Sequence, residues 1–259
     1  MAFKRSGEKT GFATLYQAGC LRVRMPRSEL GTTPEAVVIN TAGGLTGGDE
    51  VDLAAYWQSG TSLSLCSQAA EKIYRARDSC VRVTNRLDVE ADAHAEWLPQ
   101  ETILFDRAVL DRRLDVHVMR QSSFLGLESL VFGRTARHEE VVSGQIRDSW
   151  RIYRDGRLIY ADVFGLGGNM AERLDRSAIG AGARAFGTIL FVADSMTQGL
   201  LETLRLVLNP AAGRAAASMW NDVLAVRFLA RDGQILKHDM AQALQVLRAG
   251  RALPRVWQC

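Results

Sequence analysis

The sequence predicts a mostly β protein: one large antiparallel β-sheet or β-helix-like domain, with a few helices mainly in its C-terminal third. Three observations carry this. Apolar and polar residues alternate over long stretches, above all from Val81 to Trp97, which is the mark of half-buried strands. Turn dipeptides (Ser59-Gly60, Asp155-Gly156, Asp232-Gly233) punctuate these stretches. Stripes at helical spacing appear only late in the chain.

Val51–Trp57 and Thr61–Ser67 read as two strands joined at Ser59-Gly60. Val81–Trp97 would span more than ~50 Å as one strand at about 3.3 Å per residue. A turn is therefore placed at Glu90–His94, where Ala and Asp are poor strand formers. His94 falls on the polar side of this stretch, and a solvated imidazole is the simpler reading of it. Leu114–Val118 repeats the period with His117 on its polar face. Trp150–Tyr153 and Leu158–Tyr160 flank Asp155-Gly156 as a hairpin, and Val226–Ala230 enters a second one at Asp232-Gly233.

Leu200, Leu201, Leu204 and Leu208 then fit one face of a helix that starts near Asp194 or Ser195 and stops at Asn209-Pro210. Ala211–Asn221 reads as a short Ala-rich helix. Asp239 is placed as the N-cap of a last helix, with Met240, Ala243, Leu244 and Leu247 on one face and Gly250 at its end. With no Pro- or Ser-rich linker, no low-complexity run and no internal repeat, residues 1–259 are read as a single domain.

At 47% apolar residues, 259 residues suffice for a large core. The net charge is only +3 and no basic run is interleaved with aromatics, so no nucleic-acid partner is expected. No stretch approaches the ~18 apolar residues of a membrane span, and the first residues form no apolar leader; a soluble, cytoplasmic protein without a membrane partner is expected. Cys20, Cys66, Cys80 and Cys259 are too dispersed for a zinc site or a disulfide framework. Cys66 and Cys80 read as buried thiols, and Cys259 as part of a mobile end.

Asn40–Glu50 is the most distinctive segment. Gly43 and Gly48 have the spacing of a phosphate loop, but Asp49 and Glu50 follow where such a loop needs Lys and Ser or Thr. Two carboxylates repel a triphosphate. Gly43, Gly44, Gly47 and Gly48 instead permit unusual backbone angles and close packing, either in a plain connection between strands or in a turn that presents Asp49. Glu101 and Asp106, five residues apart, raise the two-carboxylate template of a glycoside hydrolase, although aromatic content is only 7%. Glu71-Lys72 after a strand is most simply a surface ion pair or a capping turn. Glu128, inside the apolar run Leu127–Phe132, must be paired, wetted or protonated if that run is buried. Asp162, between Tyr160 and Phe164, raises the same question.

Five segments resemble, in order and spacing, the urease accessory protein family UreD, also called UreH. They are Gly43–Asp49, Ala70-x-Lys72-x-Tyr74, Trp97-Leu98-Pro99-Gln100, Phe132-Gly133-Arg134 and Pro254-Arg255-Val256-Trp257. The resemblance implies a β-rich, non-catalytic scaffold. Its implied partners are apo-urease, the helical protein UreF and the GTPase UreG, and its implied role is nickel delivery to the urease active site. It implies no tightly bound cofactor, only nickel in transit along an internal, water-filled route. By resemblance the polar residues of that route fall on Asp49, Glu71, Lys72, Glu128 and Asp162. Hard carboxylate oxygens suit an ion that must be let go. No stable metal site is expected; Asp49, Glu128 and His138 are the weak candidates. The chain departs from the family pattern at Glu71, where relatives often carry a small residue, and at Ala136-Arg137-His138-Glu139. By resemblance, too, Val223–Trp257 is where partner helices would dock, which would leave the protein poorly soluble alone.

A maturation scaffold is thus the leading reading, with a β-rich hydrolase using Glu101 and Asp106, or a generic β interaction module, as alternatives. The scaffold reading expects Asp49→Ala to abolish activation of urease while partner binding survives. The hydrolase expects turnover by the isolated protein.

Overall fold

The computed structural model describes residues 1–27, 33–133, 139–194 and 196–258. In chain order the strands are β1 (Ala2–Ser6), β2 (Lys9–Thr14), β3 (Leu21–Arg24), β4 (Glu35–Asn40), β5 (Glu50–Trp57), β6 (Ser62–Ser67), β7 (Glu71–Ile73), β8 (Val81–Val89), β9 (His94–Leu98), β10 (Thr102–Leu104), β11 (Ala108–Val118), β12 (Ser123–Phe132), β13 (Ser143–Arg154) and β14 (Arg157–Asn169). Helix α1 (Met170–Asp175), strand β15 (Ala185–Val192), helix α2 (Gln198–Leu208), strands β16 (Arg214–Trp220) and β17 (Val223–Ala230), and helix α3 (Gly233–Leu247) follow.

The expected β-helix-like architecture is present. The chain winds through successive coils, β5–β6–β7 then β8–β9–β10 then β11–β12, and each strand lies parallel to its equivalent in the next coil. One face is a seven-stranded sheet in the order β14-β13-β11-β8-β5-β1-β2, the opposite face a sheet running β16-β17-β15-β12-β9-β6-β4-β3. The short strands β7 and β10 form a third face against the end of β12. Antiparallel pairs finish the winding: β1–β2 and β3–β4 at one end, β13–β14, β12–β15, β15–β17 and β16–β17 at the other.

Alternation in the sequence is realised as this winding. In β11, Leu110, Arg112, Leu114, Val116 and Val118 point inward while Asp111, Arg113 and Asp115 point out. Trp57, Leu87, Val116 and Trp150 from the first sheet pack on Leu65, Ala95, Phe124 and Leu190 from the second to make the main core. Helices α2 and α3 cover the outer face of the second sheet through Leu201, Leu204, Leu208, Leu236, Met240 and Leu244.

Several local expectations are corrected. The turn expected at Glu90–His94 is present, between β8 and β9. Ser59-Gly60 also ends a strand, but the strands on either side lie in different sheets, so it is a corner of the winding and not a hairpin. Asp155-Gly156 does join an antiparallel pair. Asp232 opens no hairpin: its side chain accepts from the Ile235 N–H and caps α3. Asp239 is therefore not a cap. It lies buried within α3 and accepts from the Gly213 N–H at 2.8 Å, fixing the entry to β16. Ala211–Asn221 is not helical, because β16 pairs along its length with β17 and tertiary pairing overrides the helix preference of alanine. Cys66 is buried as expected, whereas Cys80 is half-exposed ahead of β8, and Cys259 lies outside the described residues. Among the described residues no helix is long and apolar enough to cross a membrane.

Candidate functional site

The inner face of the winding carries a buried ionic cluster where the register brings charged residues to apolar-phase positions. Arg112 of β11 and Asp148 of β13 are register partners, both facing inward. The guanidinium grips Asp148 with two parallel bonds, Nε to Oδ1 at 3.0 Å and Nη2 to Oδ2 at 2.8 Å. Its remaining arm, Nη1, reaches across to Glu128 Oε2 of β12 at 2.6 Å and to Thr102 Oγ1 of β10 at 2.9 Å. Glu128 receives a second bond from Trp97 Nε1 at 2.9 Å. Burial pulls the Arg112 guanidinium down, but Asp148 and Glu128 outweigh it and leave its pKa above the ordinary value. Glu128 is raised, chiefly by burial and then by Asp148, while Arg112 and Trp97 oppose.

Two cavities adjoin this cluster, and Glu128 lines both. The inner one, about 90 Å³, lies between the sheets and the third face; Glu71, Asn85, Gln100, Thr102 and Arg112 supply its polar lining. The outer one, about 380 Å³, lies between β13–β14 and the strands β12, β15, β16 and β17. The cross-strand row Glu128–Thr188–Arg227 runs along its wall.

Of the sequence-expected route residues, Glu71 and Glu128 line these cavities, while Lys72 and Asp162 line neither. Glu71 sits on β7 opposite Thr102 in register. The Asn40 amide donates to both of its carboxylate oxygens at 3.0 Å and the Lys72 N–H donates at 3.1 Å. Lys72 is half-buried beside it, and its carbonyl accepts from the Leu45 N–H at 2.7 Å. Pro99 and Gln100 line the inner cavity; the Gln100 amide donates to the Val256 carbonyl at 2.8 Å, and Trp257 Nε1 to the Leu98 carbonyl at 3.0 Å. Asp162 pairs with Arg227 at 2.7 Å, closing the gap between β14 and β17. Burial, then Asp162, push the neighbouring Tyr160 phenol up to about 12.

Asp49 is elsewhere. Its Oδ2 accepts from the Thr46 N–H at 2.8 Å and its own N–H donates to the Thr46 carbonyl, so it closes a tight turn; it lines neither cavity. The glycines around it serve close packing. A β-carbon on Gly44, at φ +155°, would run into the Tyr74 ring and the Lys72 carbonyl, and one on Gly47 into the Ser79 carbonyl. Gly43 (φ +77°) and Gly48 (φ +93°) take left-handed conformations. The loop thereby lies along β7, with Leu45 bridged to Ile73, and holds Glu71 toward the interior. Gly133, at φ +82°, packs on the Glu139 backbone; Arg134 and His138 lie outside the described residues.

Neither Glu101 nor Asp106, the pair read as a hydrolase template, lines these two cavities. Asp106 Oδ1 accepts from the N–H groups of Val142 and Ser143, both at 2.9 Å, and so anchors the start of β13. The Glu101 carbonyl accepts from the Glu71 N–H. Among the described residues no group of three or more His, Cys, Asp or Glu could hold a metal ion.

Arg112 and Asp148 escaped the sequence reading, as did Glu96 and Arg248, a buried pair at 3.0 Å under the end of α3. The available signal was phase. Each of Arg112 and Asp148 stands in the apolar register of its strand, as Glu128 does, and a charge in that register must find a partner across the core.

Glu71 offers a direct check. Burial is the main force raising its carboxyl pKa, with the Asn40 amide and Lys72 opposing. The folded state then holds a proton more readily than the unfolded chain. Stability should fall as pH rises from the ordinary carboxylate range through the raised value. Urea midpoints of Glu71→Gln and of the native chain, taken at about pH 5 and about pH 7.5, should show the native chain losing ground to the variant at the higher pH. The reverse trend would contradict the assignment.

The chain is similar to known proteins over almost its full length. The family model described as UreD urease accessory protein matches residues 1–258. A protein of Rhizobium etli named urease accessory protein UreD is 42% identical over 257 residues, covering 99% of this chain and 93% of its own. Proteins of the same name from Xanthobacter autotrophicus and Azorhizobium caulinodans are 43% and 41% identical, over 97% and 96% of this chain and 86% and 91% of theirs.

Proposed function

The chain belongs to the UreD urease accessory protein family, and from that premise we propose that it is a non-catalytic maturation scaffold that passes nickel through its interior to apo-urease. In this reading it works in the cytoplasm with UreF-type and UreG-type accessory proteins, and nickel is its cargo, not a resident cofactor. The observation that carries the reading is the position of Glu128, a buried carboxylate bordering two cavities at once, each mostly apolar with a few polar side chains. Glu71 and Gln100 line the inner approach and Thr188 the outer one. Carboxylate and hydroxyl oxygens are hard, loosely holding donors for a divalent ion, which suits passage better than storage.

The test is co-expression with the urease subunits and the other accessory proteins, followed by pull-down and nickel analysis of the urease. Glu128→Gln keeps the shape and the Trp97 bond but removes the charge. Nickel per urease should fall at least roughly tenfold, the scale on which metal sites respond to loss of one neighbouring group, while the complex is still recovered. Unchanged nickel content in a recovered complex would defeat the proposal. Asp49→Ala, which changes only the turn, should have a smaller effect than Glu128→Gln.

A further inference from the structure

Two carboxylates share one guanidinium in a closed space. With both carboxylates ionised, Arg112, Glu128 and Asp148 carry one net negative charge, and each side chain is less than a tenth exposed. The nearest charges on other elements do not correct this. Arg227 is paired with Asp162 at the outer opening, Arg214 donates to the Gly180 carbonyl, and Glu71 across the inner cavity is itself acidic. The cluster is short of one positive charge, and Glu128 is the carboxylate that both cavities reach.

The bonds of Arg112 are not equivalent. Its Nε and Nη2 hold Asp148 in a fork that the β11–β13 register fixes. Its hold on Glu128 is a single arm, Nη1, which also has Thr102 Oγ1 within reach at 2.9 Å. Nη1 can therefore give up Glu128 and keep a hydrogen bond, without the guanidinium leaving Asp148.

Resting on the nickel-route reading, we propose that Arg112 is a displaceable counter-ion: a divalent cation takes its place on Glu128, whose carboxylate turns from Nη1 and returns as the cation leaves, while Thr102 keeps Nη1 bonded. Arg112 is thus a positioning residue that weakens the site and speeds release. Without it Glu128 would hold the cation longer, as an unopposed carboxylate in a medium of low dielectric constant.

Trp97 is a built-in reporter, since its Nε1 donates to Glu128. The full chain is labelled with 5-fluorotryptophan, the Trp97 fluorine resonance is assigned through Trp97→Phe, and NiCl₂ is titrated while paramagnetic broadening is followed. Arg112→Gln combined with Asp148→Asn keeps the native net charge of the cluster and removes only the competitor; half-broadening should need at least roughly tenfold less nickel, as for the loss of one competing charged contact. Thr102→Val, nearly isosteric, leaves Nη1 without a partner once Glu128 turns away and should raise the nickel needed several-fold. Opposite shifts in the two variants support the counter-ion. A native response with no tightening in the double variant, or with Thr102→Val unchanged, overturns it while leaving the route intact. If the double variant does not fold, Thr102→Val decides alone. A Trp97 resonance indifferent to nickel in the native chain overturns both the route and the counter-ion.

Discussion

Replacing Arg112 by methionine should cost the fold about 3–5 kcal/mol, the range for stripping one partner from a buried ion pair. Methionine fills most of the space, so packing is not the main loss. What remains is Glu128 and Asp148, both buried and now without the cation they share. One of them must take a proton or draw in water. Glu128 is already raised by burial and by Asp148, and losing Arg112 removes the main force holding it down. The sign follows: a carboxyl whose folded pKa is raised stabilises the fold as pH falls through that value. The deficit should therefore shrink in mild acid and be largest at neutral pH. Adding Asp148→Asn should recover much of it, because the pair no longer repels. Urea unfolding of the three proteins at two pH values checks this; a loss below about 1 kcal/mol, the level of an exposed pair, would mean that water already screens the cluster.

A loss of similar size, about 3–5 kcal/mol, is expected for Glu96→Ala, with a different footprint. Glu96 lies on β9, on the face that α3 covers, and gathers the end of that helix. Its Oε1 takes Arg248 Nε at 3.0 Å and Arg251 Nη2 at 3.1 Å, and Ser64 Oγ donates to Oε2. Arg248 is 2% exposed and also donates to the carbonyls of Arg251 and Ala252, so it cannot turn to solvent without unwinding the turn at residues 248–252. Truncating Glu96 leaves that cation buried and short of its counter-charge. Amide hydrogen exchange should accelerate from Leu244 through Trp257, including the short turn Arg255–Trp257 that seats Trp257 on β9. The strands of the opposite sheet should keep their protection. Uniform exchange across both regions would show that Glu96 supports the whole core and not this corner.

The strands were legible because period two survives any mode of pairing; their partners were not. A hairpin turn and a corner of the winding draw on the same residues, so Ser59-Gly60 reads alike for both. Leu87 meets Ala55 of the preceding coil and Val116 of the following one, and nothing local to Leu87 records either neighbour. The alanines of β16 favour a helix until β17 is beside them. For the site, Glu128 stood out because the residues around it are apolar. Arg112 did not, since Asp111, Arg113 and Asp115 make its surroundings look like an exposed charged segment. Only the alternating phase of β11 tells Arg112 from Arg113. Asp49 shows the converse: a carboxylate that ends an unusual motif invites a chemical role, while its bond to Thr46 explains the motif as a turn.

The winding also governs how the interior can be altered by inheritance. Strands β8 and β11 are each locked on both sides to a parallel neighbour, residue against residue. Losing a single codon ahead of Arg112 within β11 would slide the following positions by one and turn each to the opposite face. Arg113 would then enter the core and Leu114 would leave it. The corners face no such constraint, since an added residue there leaves both flanking registers intact. Descendants of this chain can lengthen its corners freely, yet can retune the charges around Glu128 only by exchanging one side chain for another.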